Sequence, residues 1–297
     1  MTRARSLLLV FVVAGLTACA PRVEPPGADV ALAPREKGRE VRFLAVGDTG
    51  DGSMDQARVA AAMAATCRAR GCDFVLLLGD NVYPRGPDGP DDPALERVIG
   101  VPYAGLGVPV FAALGNHDDG GSGWSPERGD AELAWTKRPP WWRTPARYYR
   151  LSAGEVDVAR WLATPDARWK VVAGHHPYLS NGKHGDAGRY DGLPSLVPVA
   201  SGRRLRRFLD DVVCGKADVY LSAHDHTREW MTETCKGTEL VVSGAGARPR
   251  PIVSRRPARF TSGALGYFAL SAGPTALTGE LLDEAGRVDF ARTLPPR

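Results

Sequence analysis

All six histidines of the 297-residue chain fall in three short polar clusters. These are Gly115-Asn116-His117-Asp118, a stretch from Gly174-His175-His176-Pro177 to His184, and His224-Asp225-His226. Two more polar clusters lie upstream, Gly47-Asp48-Thr49-Gly50 and Gly79-Asp80-Asn81-Val82-Tyr83. Six is an ordinary number of histidines; their confinement is what carries information. Neutral imidazole is the commonest protein metal ligand, and protonated imidazole donates protons near neutral pH. Carboxylates, a carboxamide, imidazoles and a phenol gathered in this way predict one metal centre with catalytic helpers. Hard oxygen ligands mixed with imidazole suit iron, manganese or zinc, and not copper or a cluster.

Each polar cluster follows a short apolar run that reads as a strand. The runs are Val41 to Val46, Phe74 to Leu78, Val108 to Leu114, Trp169 to Ala173 and Val219 to Ser222. Met54 to Arg70 is Ala-rich and free of Pro and Gly, which predicts a helix with Gly71 as its stop. Ser201 to Val213 predicts another, capped by Ser201. Strands alternating with helices indicate an α/β layered fold. Ligands in such folds bind beyond the carboxyl ends of the strands, so all five clusters are expected along one edge. After residue 237 the pattern turns β-like, over Leu240 to Ser243, Tyr267 to Ser271, Ala276 to Leu282 and Arg287 to Phe290. These runs predict a second sheet packed on the first. Trp124 to Pro145 reads as a long structured loop. Its Trp135, Trp141 and Trp142 either wall the site or pin the loop to the body.

A hydrophobic content of 43% can bury the core of one large domain or two small ones. The formal net charge of +4 is mild and forms no basic stripe, so nucleic acid is not an expected partner. Arg248, Arg250, Arg255, Arg256 and Arg259 either draw anionic substrates toward the site or line a solvated loop.

The N-terminus reads as a targeting segment. Arg3 and Arg5 precede a short apolar run from Leu7 to Gly15. Leu16-Thr17-Ala18-Cys19 then resembles a bacterial lipobox, which implies acylation of Cys19 and attachment to a membrane surface. The expected organisation is a lipoprotein signal peptide over 1–18, a flexible tether over 19–39 and one catalytic domain over 40–297. The expected location is the bacterial cell envelope. Cys67, Cys72, Cys214 and Cys235 remain. In an exported chain they permit two disulfides, and sequence proximity favours Cys67–Cys72 and Cys214–Cys235. A four-cysteine zinc site is the alternative, weakened by the lack of a Cys-x-x-Cys pair.

Taken in order, the five polar clusters resemble those of the calcineurin-like metallophosphoesterases, and most closely the small, tartrate-resistant type of purple acid phosphatase. The resemblance spans Asp48 to His226. It implies a four-layer α/β/β/α sandwich of two mixed sheets flanked by helices. It also implies that Asp48, Tyr83 and His226 bind one metal, that Asn116, His175 and His224 bind a second, and that Asp80 bridges both. His117 and His184 would face the substrate and, protonated, would stabilise the equatorial phosphoryl oxygens or protonate the departing alkoxide, while His176 has no assigned role. The implied cofactors are Fe(III) and a divalent Fe, Zn or Mn ion. Fe(III) is favoured because a phenol with a pKa of about 10 needs a strong Lewis acid to ionise near neutrality.

The implied reaction is hydrolysis of phosphate monoesters, small-molecule or phosphoprotein, by in-line attack of a metal-activated hydroxide. Two departures and two rival functions go with it. Ala223 stands where the family usually has Gly before His-Asp-His. Residues 151–169 are too few for the strand, turn and helix that the family places there, and Glu155 to Ala163 is expected to supply a helix alone, without an inner strand. A diesterase on the same scaffold, or a non-catalytic envelope lipoprotein that binds phosphorylated ligands, are the competing functions. Cyclic-nucleotide diesterases of the family commonly carry Asp-x-His in the first cluster, and Asp48-Thr49-Gly50 does not.

Overall fold

Apolar residues on both faces of a run suit a strand sandwiched between layers, and the runs before the polar clusters are of this kind. A computed structural model of the chain describes residues 28–32, 40–153, 156–159, 167–194 and 196–296. Its strands are β1 (Ala28–Leu32), β2 (Val41–Val46), β3 (Phe74–Leu78), β4 (Val110–Ala113), β5 (Tyr149–Ala153), β6 (Val156–Ala159) and β7 (Trp169–Ala173). They continue with β8 (Val219–Ser222), β9 (Arg228–Met231), β10 (Glu239–Ser243), β11 (Ala258–Ser262), β12 (Gly266–Ala272), β13 (Leu277–Asp283) and β14 (Val288–Leu294). The longer helices are α1 (Met54–Arg70), α2 (Pro126–Leu133) and α3 (Arg203–Phe208), the last extended by a π-helical turn over Leu209–Val213.

The strands form two mixed sheets. One has the order β1-β5-β6-β7-β8-β10-β9-β11 and the other β14-β13-β12-β2-β3-β4. Phe43, Phe74, Phe111 and Phe268 of the second sheet pack against Trp169, Val171, Leu221 and Trp230 of the first. On the outer face of the second sheet, Leu44, Val46, Val75 and Leu77 bury against Val59, Met63 and Cys67 of α1. On the outer face of the first, Val172, Tyr220 and Leu240 bury against Leu209 and Val213 after α3. The layers are therefore α/β/β/α.

The single edge expected for the polar clusters is corrected. β2, β3 and β4 pair parallel in one sheet, while β7 and β8 pair parallel in the other. The carboxyl ends of two facing sheets meet, and the clusters converge across the gap. The C-terminal strands do not make a sheet of their own either. β10 pairs parallel with β8, whereas β12 pairs antiparallel with β2 and leads to β13 and β14. Runs that are apolar on both faces carry no mark of which sheet they join, so periodicity could not separate them.

Four local expectations also change. Residues 28–32, inside the expected tether, are a strand paired parallel with β5; Val30 and Leu32 alternate and pack against the inter-sheet core. Residues 156–159, expected as helix, form β6 between β5 and β7, so the inner strand is present despite the short segment. Ser201 does not cap α3. The cap position is Gly202, with φ of 73°, and makes no side-chain bond. Within the expected loop, Pro126–Leu133 is helical, with Pro at a helix start where no N–H is needed. Trp135 and Trp142 are buried against the α1 side of the sheet with rings 6.2 Å apart. They pin this segment to the body and do not wall the site.

Disulfides join Cys67 to Cys72 and Cys214 to Cys235, with Cα separations of 4.9 and 5.0 Å. That closes the four-cysteine zinc alternative, because no free thiolate remains among them. Ala223, the departure from the family pattern, is fully buried. A Cβ added to Gly47 would lie 2.4 Å from the Ala223 Cβ, so the extra methyl occupies the space that Gly47 leaves. Cys19 and the signal segment lie outside the described residues.

Candidate metal centre

Three of the strand-end residues hold left-handed backbone that an L side chain rarely adopts. Asp48, Asp80 and His224 have φ of 56°, 55° and 65°. Such conformations cost of order 1–3 kcal/mol each and persist where surrounding structure over-determines them. Here the loops are interlaced. The Asp48 N–H donates to the Gly79 carbonyl at 3.0 Å, and the Tyr83 N–H to the Gly50 carbonyl at 2.8 Å. The His224 N–H donates to Asp48 Oδ2 at 2.8 Å across 176 residues of chain. Gly79, with φ of 92°, lies so close to His175 that an added Cβ would come within 2.8 Å of its Nδ1.

The side chains converge in two groups. In the first, the Tyr83 hydroxyl lies 3.0 Å from Asp48 Oδ1 and 3.4 Å from His226 Nε2, and His226 Nε2 lies 3.6 Å from Asp48. In the second, His175 Nε2 lies 3.2 Å from both Asn116 Oδ1 and His224 Nδ1. Asp80 joins the groups. Its Oδ2 is 3.1 Å from the Tyr83 hydroxyl and 3.3 Å from His175 Nε2. The left-handed turn at His224 explains how two histidines one residue apart serve different groups, where an extended segment would point both the same way.

Burial and mutual charge set the electrostatics of the cluster. Burial pushes the Asp48 carboxyl well up, against the pull of His175. Burial opposes ionisation of Asp80 as well, but His175 and His117 outweigh it and hold that carboxyl below the ordinary range. The Tyr83 phenol is raised far above its usual value by burial and by Asp48 and Asp80. Burial disfavours charge on His175, yet Asp80 overrides it and lifts the imidazole to about 10. His226 falls to about 4 and His224 well below normal, burial being the first cause in each. No Lys or Arg forms an ion pair with Asp48 or Asp80 among the described residues.

These oxygens and imidazoles fit divalent or trivalent ions of the iron, zinc and manganese kind. The rings are also preset for ligation. The Leu78 carbonyl accepts from His175 Nδ1 at 2.9 Å and the Arg248 carbonyl from His226 Nδ1 at 2.6 Å, leaving both Nε2 atoms facing the cluster.

The two histidines expected to face substrate sit at the rim. His117 Nδ1 donates to the Pro84 carbonyl, and its Nε2 lies 4.0 Å from Asp80 Oδ2. His184 stacks on His224 with centroids 4.4 Å apart, and its Nδ1 lies 2.7 Å from Asp191 Oδ1. His176 is packed between His224 and Tyr190 and driven down to about 3, by burial first and the neighbouring His175 second.

Several supporting residues escaped sequence reasoning. Asp118 accepts from the Gly115, Asn81 and Val82 N–H groups at 2.7, 2.8 and 2.9 Å, tying the loop after β4 to the loop after β3. Burial pushes its carboxyl up to about 7. Behind it, fully buried Glu132 on α2 accepts from Asn81 Nδ2 at 3.0 Å, and burial raises its carboxyl well above normal. Asp225 accepts from the His184 and Gly185 N–H groups at 2.7 and 3.0 Å. Asp118 and Asp225 stand inside visible motifs and could have been singled out. Glu132 and Asp191 carry no sequence mark at all.

Comparison with known proteins agrees with this geometry. The calcineurin-like phosphoesterase family model matches residues 41–228. The chain is 27% identical to purple acid phosphatase 4 of Arabidopsis thaliana, over 82% of this chain and 78% of that protein. It is 26% identical to tartrate-resistant acid phosphatase type 5 of Sus scrofa, over 86% of this chain and 87% of that protein. Among solved structures it resembles GAP50, the anchor in the inner membrane complex of Plasmodium, at a TM-score of 0.66 and 18% identity over 87% of this chain and 90% of that one. It also resembles PhoD, at 0.55 and 14% identity over 88% of this chain and 69% of that one. The last two are likenesses of fold alone.

Proposed function

Because the chain belongs to the calcineurin-like phosphoesterase family, we propose that it is an acid phosphatase hydrolysing phosphate monoesters at a dinuclear metal centre. The observation that carries this reading is Asp80 Oδ2, 3.1 Å from the Tyr83 hydroxyl and 3.3 Å from His175 Nε2. One carboxylate oxygen faces both ligand groups, as a bridge between two ions requires. Asp48, Asp80, Tyr83 and His226 would hold one ion, and Asp80, Asn116, His175 and His224 the other. When bound, such a pair supplies Lewis acidity to phosphoryl oxygens and lowers the pKa of water. Tyr83 favours Fe(III) in the first position, since its carboxylate neighbours oppose ionisation of a phenol that already needs about pH 10. Fe, Zn or Mn suits the second.

The chain's own residues bind, orient and move protons. The Pro84 carbonyl accepts the Nδ1 proton of His117, so Nε2 is the atom left to pass a proton to a departing alkoxide. Asp225 fixes the backbone of His184 and Gly185, and the Asp191 carboxylate accepts His184 Nδ1–H. His184 Nε2, on the other side of the ring, lies 3.0 Å from Arg250 Nη1.

The visible spectrum of the purified protein, recorded with its metal content, tests the proposal. An iron–phenolate charge-transfer band with two metals per chain is expected. A colourless protein with two zinc or manganese ions would remove the iron assignment. Faster hydrolysis of bis(p-nitrophenyl) phosphate than of p-nitrophenyl phosphate would replace the monoesterase with a diesterase.

The reading includes export and acylation at Cys19, on the strength of Leu16-Thr17-Ala18-Cys19. Two disulfides suit an oxidising compartment and support it. Intact mass of the mature protein is expected to begin at an acylated Cys19, and a mass that retains Met1 would sink this part.

A further inference from the structure

The segment from Arg248 to Arg250 is laced to His226 at both ends. The Arg248 carbonyl accepts from His226 Nδ1 at 2.6 Å, and the Arg250 N–H donates to the His226 carbonyl at 3.0 Å. The two guanidinium groups held in this way differ. Arg248 pairs with Asp51 at 2.8 Å and lies over the Tyr83 ring, 4.7 Å from its centroid. Arg250 has no carboxylate partner among the described residues, and its Nη1 donates to His184 Nε2 at 3.0 Å. A guanidinium has five N–H donors, so most of this one's capacity is unused. It is also partly buried. A charge removed from water usually has a counter-charge, and a backbone-fixed guanidinium without one is a receptor shaped for carboxylate or phosphate.

Its position indicates which anion. Among the described residues the Arg250 guanidinium hydrogen-bonds His184 and forms no hydrogen bond or ion pair with Asp48, Asp80, Asn116 or His224. Its guanidinium reaches the cluster through His184, a rim residue whose ring stacks on His224 at 4.4 Å, and the backbone N–H of Arg250 is tied to the His226 carbonyl. Exposed Lys183, next to His184, adds positive charge at the same rim. Resting on the phosphatase reading above, we infer that Arg250 forms a subsite for a second anionic group on the leaving part of the substrate. The substrate class is then a phosphate monoester with a carboxylate or second phosphate close to the ester oxygen. Arg250 is the specificity-determining residue, and the same anion would draw it away from His184 Nε2, freeing that nitrogen.

Two phosphate esters that differ by one carboxylate, 2-phosphoglycolate and ethyl phosphate, test this on the full metal-loaded chain. The wild type is expected to have the higher kcat/KM on phosphoglycolate. Arg250→Met is expected to cut that preference at least about tenfold, mainly through KM, the size of one charge-assisted hydrogen bond. Arg250→Lys should keep part of it, because charge remains and the fork is lost. No preference in the wild type, or an unchanged ratio in Arg250→Met, overturns the inference and leaves the phosphatase reading intact. A wild-type chain inactive on both esters and on p-nitrophenyl phosphate overturns the phosphatase reading itself.

Discussion

Asp80→Ala is expected to remove both turnover and metal. Its carboxylate accepts the His117 N–H at 2.9 Å and faces Tyr83 and His175 on the other oxygen. In the proposed dinuclear centre, deleting it would take the shared ligand from both ions at once. Lewis-acid stabilisation of a transferring phosphoryl group is worth several kcal/mol, so kcat/KM should fall by roughly 10³-fold or more. Elemental analysis is expected to find fewer than two metals per chain, with circular dichroism unchanged in shape. Asp80→Asn separates charge from shape. The amide can still accept the His117 N–H, yet it lacks the negative charge, and the same metal loss is expected. An Asp80→Ala chain that keeps two metals and wild-type kcat/KM would refute the bridging role.

His117→Ala is expected to behave in the opposite sense, with slow turnover and full metal. The ring is held by the Pro84 carbonyl and packs 4.5 Å from the Tyr83 ring, and its side chain is 34% exposed. Its imidazole makes no hydrogen bond to a proposed ligand side chain among the described residues and lies 4.0 Å from Asp80 Oδ2. The backbone N–H that bonds Asp80 remains after truncation. Loss of a positioned proton donor typically costs about 10²–10⁴ in rate, and kcat should carry most of it. Steady-state kinetics and elemental analysis on one preparation decide the matter. Metal loss in His117→Ala would make the residue a ligand or a scaffold, and the proton-donor assignment would fall.

The paired outcomes separate residues that hold the ions from those that act on substrate. They also show how far residue types and order can be read. Every strand that precedes a polar cluster was visible as an apolar run, with four of the five bounds unchanged. Gly-Asp, Asn-His and His-x-His are legible because their chemistry is local to one loop. Glu132 was not legible. It supports the Asp80 loop from a helix inside a Trp- and Pro-rich stretch, and nothing in its neighbours marks it as buried. Arg250 was visible only as one of five arginines. What distinguishes it is the hydrogen bond of its guanidinium to His184 Nε2, which is a fact of tertiary packing.

The sequence by itself determined which polar side chains follow the strands and their order along the chain. Hydrophobic runs ending in Gly and a polar residue specify a strand and the turn that follows it. Tertiary structure alone decided that these strands belong to two sheets, because residues apolar on both faces bury equally well in either. It also supplied the means by which His224 and His226, one residue apart, serve different groups. Those means rest on the left-handed backbone at His224 and on an N–H bond to Asp48 from 176 residues away. Contacts at that separation form only once the whole core has closed, and no local pattern encodes them.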